Sequence, residues 1–384
     1  MSGPGGADPD AGLGDPSAAR RRDGTGGTRP IRVLVVEDSP TVRQLLVAML
    51  GSDPQIDVVG EADNGLDAVR AAVRLAPDLI TMDVNMPGLD GLAATKEIMA
   101  EAPTAIIIVS STANQRAVSL SLDATRAGAL MVLPKPESPL APGFAEQRAQ
   151  LVSMAKAMAQ VKVVRRWASR RGGRRPASTT APRLARRAGD VATVRLVAIG
   201  CSTGGPAALQ RILGELPADF PVPIAVVQHM APGFVHGLAT WLDGACALRV
   251  RVATEGERLQ AGTVYLAGDD RQFGVARDPR DPRAVAARLT DDAPVDGFRP
   301  SATHLFASVA RALGADAAGV ILTGMGRDGV DGLMALRRTG APVLAQDEAS
   351  SVVYGMAREA VQAGAVTELL PLDEIAGRLQ ELVA

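Results

Sequence analysis

From Ile31 the chain runs through positions that are apolar but for Arg32, IRVLVV, into two acids, Glu37 and Asp38. A helix-period stretch, Thr41 to Leu50, follows. The rhythm then repeats. IDVVGEA predicts a second strand, and Gly65 to Ala76 a helix. DLITMDV, AIIIVSS and ALMVLPK predict a third, fourth and fifth strand, with helical stretches between them. Continuous β-branched strands alternating with helices mean a parallel sheet covered on both faces.

The same rhythm returns at Val194. VRLVAIG, PIAVVQH, GTVYLAG, AGVILTG and APVLAQD predict strands, and Pro206–Leu216 and Gly329–Thr339 are among the predicted helices. The expected fold is α/β: two doubly wound parallel-sheet domains. Residues 1–29 are rich in Gly, Pro, Asp and Ser with almost no large apolar residue, so a disordered tail is expected. Residues 148–189 hold twelve basic residues and no acidic one. Ala145 to Arg166 has helical composition; the remainder has Gly, Pro, Ser and Thr and no period, the mark of a linker. The expected division is a tail (1–29), a first domain (30–147), an Arg-rich linker (148–193) and a second domain (194–384).

Composition narrows the function classes. The 384 residues, 47% hydrophobic and 22% charged, suit globular domains with real cores. No run reaches the ~18 apolar residues of a membrane span. No charged start precedes an apolar stretch, so no signal peptide is expected. Cys201 and Cys246 are the only cysteines, which fits a reducing cytoplasm and argues against thiolate zinc. Aromatics at 3% argue against stacking on single-stranded nucleic acid. The net charge of −1 conceals a division: without the twelve linker bases, 29 basic residues face 42 acidic ones. The basic tether is therefore expected to dock on acidic protein surface, its own domains included.

Ligands of open α/β sheets sit at the carboxyl ends of strands. In the first domain Glu37 and Asp38 follow the first strand and Asp83 the third, an oxygen-rich set that suits Mg²⁺. Ser110 ends the fourth strand and Lys135 the fifth. Metal and lysine neutralise phosphoryl charge, and an aspartate can be the covalent acceptor. Any one of these residues alone could be a solvated strand end or a helix cap. Their shared rim points to phosphoryl transfer.

In the second domain Ser202, His229 and Asp328 each follow a predicted parallel strand, and such ends converge. Nucleophilic hydrolysis needs this set: the His takes the Ser proton, the Asp orients the imidazole, and backbone N–H groups hold the oxyanion. The bland alternatives are Ser202 capping the helix at Pro206, His229 as a core residue, and Asp328 capping the Gly329 helix. His236 and His304 fall in helical stretches and read as structural. Cys201 precedes Ser202 and should point to the opposite face, into the core.

Two short motifs compete. Gly200-Cys-Ser-Thr-Gly204 fits the G-x-S-x-G elbow, yet the order Ser202, His229, Asp328 is not that of the α/β-hydrolases. Gly324-Met-Gly-Arg-Asp-Gly329, with Asp347 some twenty residues on, fits a dinucleotide fingerprint, but it comes late in its block and sets an anion where pyrophosphate would lie.

VVEDSPTVRQLL, MDVNMPGLDGL, IVSS and LPKP over about 31–140 resemble the receiver domain of response regulators. The resemblance implies Asp83 as phosphoacceptor, Glu37 and Asp38 as Mg²⁺ ligands with the backbone carbonyl of Asn85, and Ser110 and Lys135 as sensors of the phosphoryl group. Asn85 stands where relatives often carry Glu; only a carbonyl is needed there. AIGCSTGGP, Gln228-His229-Met230, LTGMGRDG and QDEASSVVYGMAREA over 194–370 resemble the CheB-type protein-glutamate methylesterases of chemotaxis.

That second resemblance implies hydrolysis of glutamyl methyl esters on methyl-accepting chemoreceptors, with methanol released, and deamidation of receptor glutamines. Ser202 would be nucleophile, His229 general base and acid, Asp328 the orienting carboxylate, and Thr203 and Met325 backbone donors to the oxyanion. No cofactor is expected at the esterase site. A chemotaxis histidine kinase would be the phosphodonor. The protein would be cytoplasmic, recruited to membrane receptor arrays without insertion. The unphosphorylated receiver would cover the esterase cleft, and Asp83 phosphorylation would relieve it. Cys201 replaces a usual Ala. Gln272 stands where many relatives carry His, a departure expected to touch only its loop. A receiver joined to an Arg-rich segment could also be a transcription regulator, but no DNA-reading module is found and no specific nucleic-acid partner is expected.

Overall fold

The computed structural model describes residues 29–111, 115–161, 163, 194–278 and 281–384. Apart from Arg29, whose guanidinium pairs with Asp78 at 2.7 Å, the expected tail lies outside the described residues. So does the Arg-rich stretch 164–193.

The first sheet has the order β2-β1-β3-β4-β5 and is parallel throughout. Its strands are β1 (Ile31–Val36), β2 (Ile56–Ala62), β3 (Leu79–Met82), β4 (Ala105–Ser110) and β5 (Met131–Pro134). The period-2 geometry of a strand splits each one between two cores. Leu34 and Val36 face one side of the sheet, Val33 and Val35 the other. Helices α1 (Pro40–Leu50), α2 (Gly65–Leu75), α3 (Gly91–Glu101) and α4 (Gln115–Ala127) return the chain. The first three start on side-chain caps, Ser39, Asn64 and Asp90, each satisfying an orphan backbone N–H.

Helix α5 (Phe144–Met158) changes one expected boundary. Leu151, Ala155 and Met158 are buried against the sheet beside Leu46 and Val109. Residues 148–158, assigned to the linker because of their basic charge, therefore form part of the first domain. Arg148 and Lys156 lie on that helix without spoiling its apolar stripe, and Lys156 pairs with Asp53 at 3.0 Å.

The second sheet has the order β14-β13-β12-β6-β7-β9-β8, again parallel. In chain order the elements are β6 (Leu196–Cys201), α6 (Gly205–Leu213), β7 (Ile224–Gln228), α7 (Val235–Asp243), β8 (Arg249–Val252) and β9 (Thr263–Leu266). After the hairpin described below come α8 (Ala302–Ala312), β12 (Ala317–Ile321), α9 (Val330–Arg338), β13 (Val343–Gln346), α10 (Met356–Gln362), β14 (Glu368–Leu370) and α11 (Leu372–Val383). Val197, Ile199 and Cys201 enter one core; Leu196 and Ala198 enter the other. Cys201 thus points inward, as its register required, and burial pushes its thiol pKa well up.

An antiparallel hairpin, β10 (Gln272–Asp278) with β11 (Asp281–Thr290), interrupts the αβ rhythm before α8. The strand reading did not include it. Charged residues and the Asp-Pro-Arg-Asp-Pro sequence between them mask its alternation.

The two domains meet through α4. Val118 seats on Gly237 of α7, where any Cβ would overlap it. Val118 and Leu122 join the core of the second domain. Among the described residues no helix is long and apolar enough to cross a membrane.

Candidate functional sites

The rim of the first sheet gathers the acids as expected. Glu37 and Asp38 leave β1, and Asp83 leaves β3; their nearest oxygens all lie within 4.8 Å of one another. Lys135, just past β5, donates at 2.8 Å to both Glu37 Oε1 and Asp83 Oδ2. Burial drives Glu37 up to about 7, and neighbouring Asp83 adds to the rise against the lysine's pull. Burial would lower Lys135, but its hydrogen bonds to Asp83 and Glu37 outweigh that and hold it above its ordinary value. Glu37 Oε2 is buried with no partner. An orphaned carboxylate oxygen between two further acids suits a hard divalent cation. The Asn85 amide donates to Asp83 Oδ1 at 3.2 Å, so the chain turns tightly around the aspartate. The Ser110 hydroxyl is buried and unpartnered, and is not bonded to Asp83.

At the second sheet β6, β7 and β12 are adjacent, so Ser202, His229 and the turn carrying Asp328 leave neighbouring strand ends. His229 Nε2 lies 2.8 Å from Asp328 Oδ2, with both side chains nearly or fully buried. Asp328 is not a cap for the helix that follows it. It sits at the N-terminus of α8, accepting from Ala302 N at 2.7 Å, Thr303 N at 3.0 Å and the Ser301 hydroxyl at 2.6 Å. Burial alone would raise its pKa; the hydrogen bonds from His229 and Ser301 reverse that and bring it down to about 2. An ionised Asp328 fixes the Nε2–H tautomer of the imidazole, so Nδ1 is the basic nitrogen. Nδ1 is buried and without a partner. The His229 ring lines the same cleft as Ser202.

That cleft, about 310 Å³, also carries Thr203, Met325, Phe298 and Arg299. A groove of about 1040 Å³ runs along α6 and α7 but contains none of the triad, so size does not mark the chemistry here. Ser202 does not cap α6; Gly204 fills that position with φ +78°. The turn after β12 approaches Ser202 so closely that a Cβ on Gly324 would lie 2.8 Å from Ser202 Cβ. This closeness explains the glycine at 324 without a nucleotide. The Asp347 carboxylate is folded onto Ser350 and Asp328 is turned to His229, so neither faces a nucleotide site.

Four residues around the triad carried no assigned role in the sequence. Ser301 caps α8, accepting from His304 N at 3.3 Å. Phe298 stacks on His229 with centroids 4.2 Å apart and planes 7° off parallel; no local pattern announces it. Gln228 donates to Ser202 O at 2.9 Å and His229 O at 2.8 Å, tying two strand ends together. The fourth is Gln272, whose carboxamide accepts from Ser301 N.

The receiver side of the cleft is equally specific. Leu122, Leu130, Met131 and Met154 line it opposite Ser202 and His229. The Leu130 carbonyl accepts from Gly204 N at 3.2 Å, two residues from Ser202.

Fold and sites together define a two-domain α/β protein that joins a receiver-type acidic rim to a Ser-His-Asp cleft. Family models agree: the response regulator receiver domain matches residues 33–141 and the CheB methylesterase residues 197–379. The chain is 51% identical over 350 residues to the protein-glutamate methylesterase/protein-glutamine glutaminase 4 of Myxococcus xanthus, covering 91% of this chain and 96% of that one. It is 52% identical over 349 residues to the correspondingly named protein 3 of Anaeromyxobacter dehalogenans, covering 91% and 98%. The solved Thermotoga maritima CheB methylesterase catalytic domain is 37% identical with a TM-score of 0.48, covering 50% of this chain and 100% of that one. The chain belongs to the CheB family of protein-glutamate methylesterases/protein-glutamine glutaminases.

Proposed function

We propose that this protein hydrolyses methyl esters of glutamate side chains on chemoreceptors, and deamidates receptor glutamines, through Ser202, His229 and Asp328. The observation that carries this reading is His229: Nε2 is held by a buried, ionised carboxylate, Nδ1 has no other partner, and the ring shares one cleft with Ser202. Nδ1 takes the Ser202 proton as Oγ attacks the ester carbonyl carbon. The developing oxyanion is held by the backbone N–H groups of Thr203 and Met325. His229 then gives its proton to the departing methoxide, releasing methanol, or to the departing amide nitrogen, releasing ammonia when the substrate is a glutamine. Water, deprotonated by the same imidazole, attacks the acyl-serine, and the C–O bond to Ser202 breaks to leave a glutamate carboxylate. None of these steps needs a cofactor.

Phosphorylation at Asp83 regulates the reaction. Glu37, Asp38, Asp83 and the carbonyl of Asn85 would hold Mg²⁺, which supplies neutralisation of phosphoryl charge. A chemotaxis histidine kinase is the donor, and Ser110 and Lys135 sense the new group. The receiver residues that line the cleft support autoinhibition in the unphosphorylated state. The protein works in the cytoplasm at receptor arrays. Methanol release from a methylated receptor fragment, with and without a small phosphodonor and Mg²⁺, tests the reading. Hydrolysis stimulated by the donor is expected; no methanol from any glutamyl methyl ester would overturn it.

A further inference from the structure

Gln272 opens β10 and is wholly buried. Both protons of its Nε2 are engaged, by Ala293 O at 3.1 Å and Phe298 O at 3.3 Å. Its Oε1 accepts from Ser301 N at 2.9 Å. One carboxamide thus clasps three points of the segment 293–301. That segment ends in the two residues packed on the triad: Phe298 on the face of His229 and Ser301 on Asp328 Oδ1. Val295 and Phe298 exchange both backbone hydrogen bonds, so the turn holding Phe298 is itself closed.

We infer that Gln272 is a positioning residue of the hydrolytic site, fixing through this segment the plane of the His229 imidazole and the seat of Asp328. The inference rests on the triad reading above. The chemistry selects an amide. Two donors on one side and an acceptor on the other match two carbonyls and one N–H. A neutral imidazole offers one donor and one acceptor, so histidine here satisfies two of the three contacts. A thioether offers no useful donor. Glutamine at 272 therefore bears on the triad, not merely on its own loop.

The test is a kinetic series in the full-length protein. Gln272→Met is expected to lower kcat by on the order of 10²-fold, the scale of a small misplacement of reacting groups, with KM little changed. Gln272→His should recover most of the loss. Phe298→Ala should lower kcat similarly, and the double variant Gln272→Met/Phe298→Ala should lose less than the product of the two single losses. Should the Met variant fail to fold, Phe298→Ala and Gln272→His carry the test. Wild-type kcat in Gln272→Met or in Phe298→Ala, a Gln272→His variant with kcat lowered 10²-fold, or strictly multiplicative losses would overturn the inference. Ser202→Ala is measured alongside. If it is inactive while Gln272→Met is unimpaired, only the positioning role fails; if it is active, the triad reading itself fails.

Discussion

Trp241 Nε1 donates to Asp123 Oδ1 at 2.9 Å, joining α7 of the hydrolase domain to α4 of the receiver. The bond lies beside the seat of Val118 on Gly237, in the contact between the two domains, which is expected to restrain the enzyme. A hydrogen bond of this kind is worth about 1 kcal/mol net. Trp241→Phe keeps the ring and removes the donor. It should raise the unphosphorylated rate about fivefold and leave the fully phosphorylated rate unchanged. Initial rates with and without phosphodonor check this; an unchanged basal rate would show that the contact does not restrain the enzyme.

The rim of the first sheet carries its own expectation. Asp83→Ala removes the proposed phosphoacceptor while Glu37 and Lys135 remain. Basal methanol release should persist and stimulation by a phosphodonor with Mg²⁺ should vanish. Equal stimulation in the variant would place the acceptor elsewhere.

Asp328 links catalysis to acid stability. Its native pKa of about 2 lies below the ordinary carboxylate value, because hydrogen bonds from His229 and Ser301 outweigh burial. A depressed pKa contributes stability that is fully present above the unfolded value, near 4, and is lost as pH falls toward 2. The stability difference between wild type and Asp328→Asn should therefore shrink from about pH 4 to pH 2 and be level above that, as denaturant melts would record. The variant's kcat at neutral pH should fall by on the order of 10⁴-fold, the loss seen when a triad Asp can no longer fix the imidazole tautomer. A difference that grows toward acid would contradict the assigned hydrogen bonds.

Much of this was legible in the chain because parallel α/β sheets write their function at strand ends. The strands leading to Glu37, Asp83, Ser202 and His229 are continuous apolar runs, and the residues just beyond them fall where the sheet order brings them together. Helix α5 was misassigned because its basic residues obscured the stripe of Leu151, Ala155 and Met158. Phe298 stacks on His229, Gln228 ties Ser202 to His229, and Gln272 clasps Phe298 and Ser301, all across loops and strand ends, and such contacts leave no period in the sequence. The seating of Leu122 and Leu130 against the cleft depends on two surfaces fitting, which neither domain's pattern encodes.

The identity of the nucleophile is the central claim, and Cys201 beside Ser202 makes it testable by contrast. Cys201 is fully buried, with its thiol pushed toward the protonated form. Methanol release from a methylated receptor fragment should be measured for Ser202→Ala and Cys201→Ala side by side, each with its fold verified. Ser202→Ala is expected to lose activity by on the order of 10⁴-fold or more, and Cys201→Ala to keep most of it. Turnover retained in Ser202→Ala, or abolished in a folded Cys201→Ala, would contradict the account.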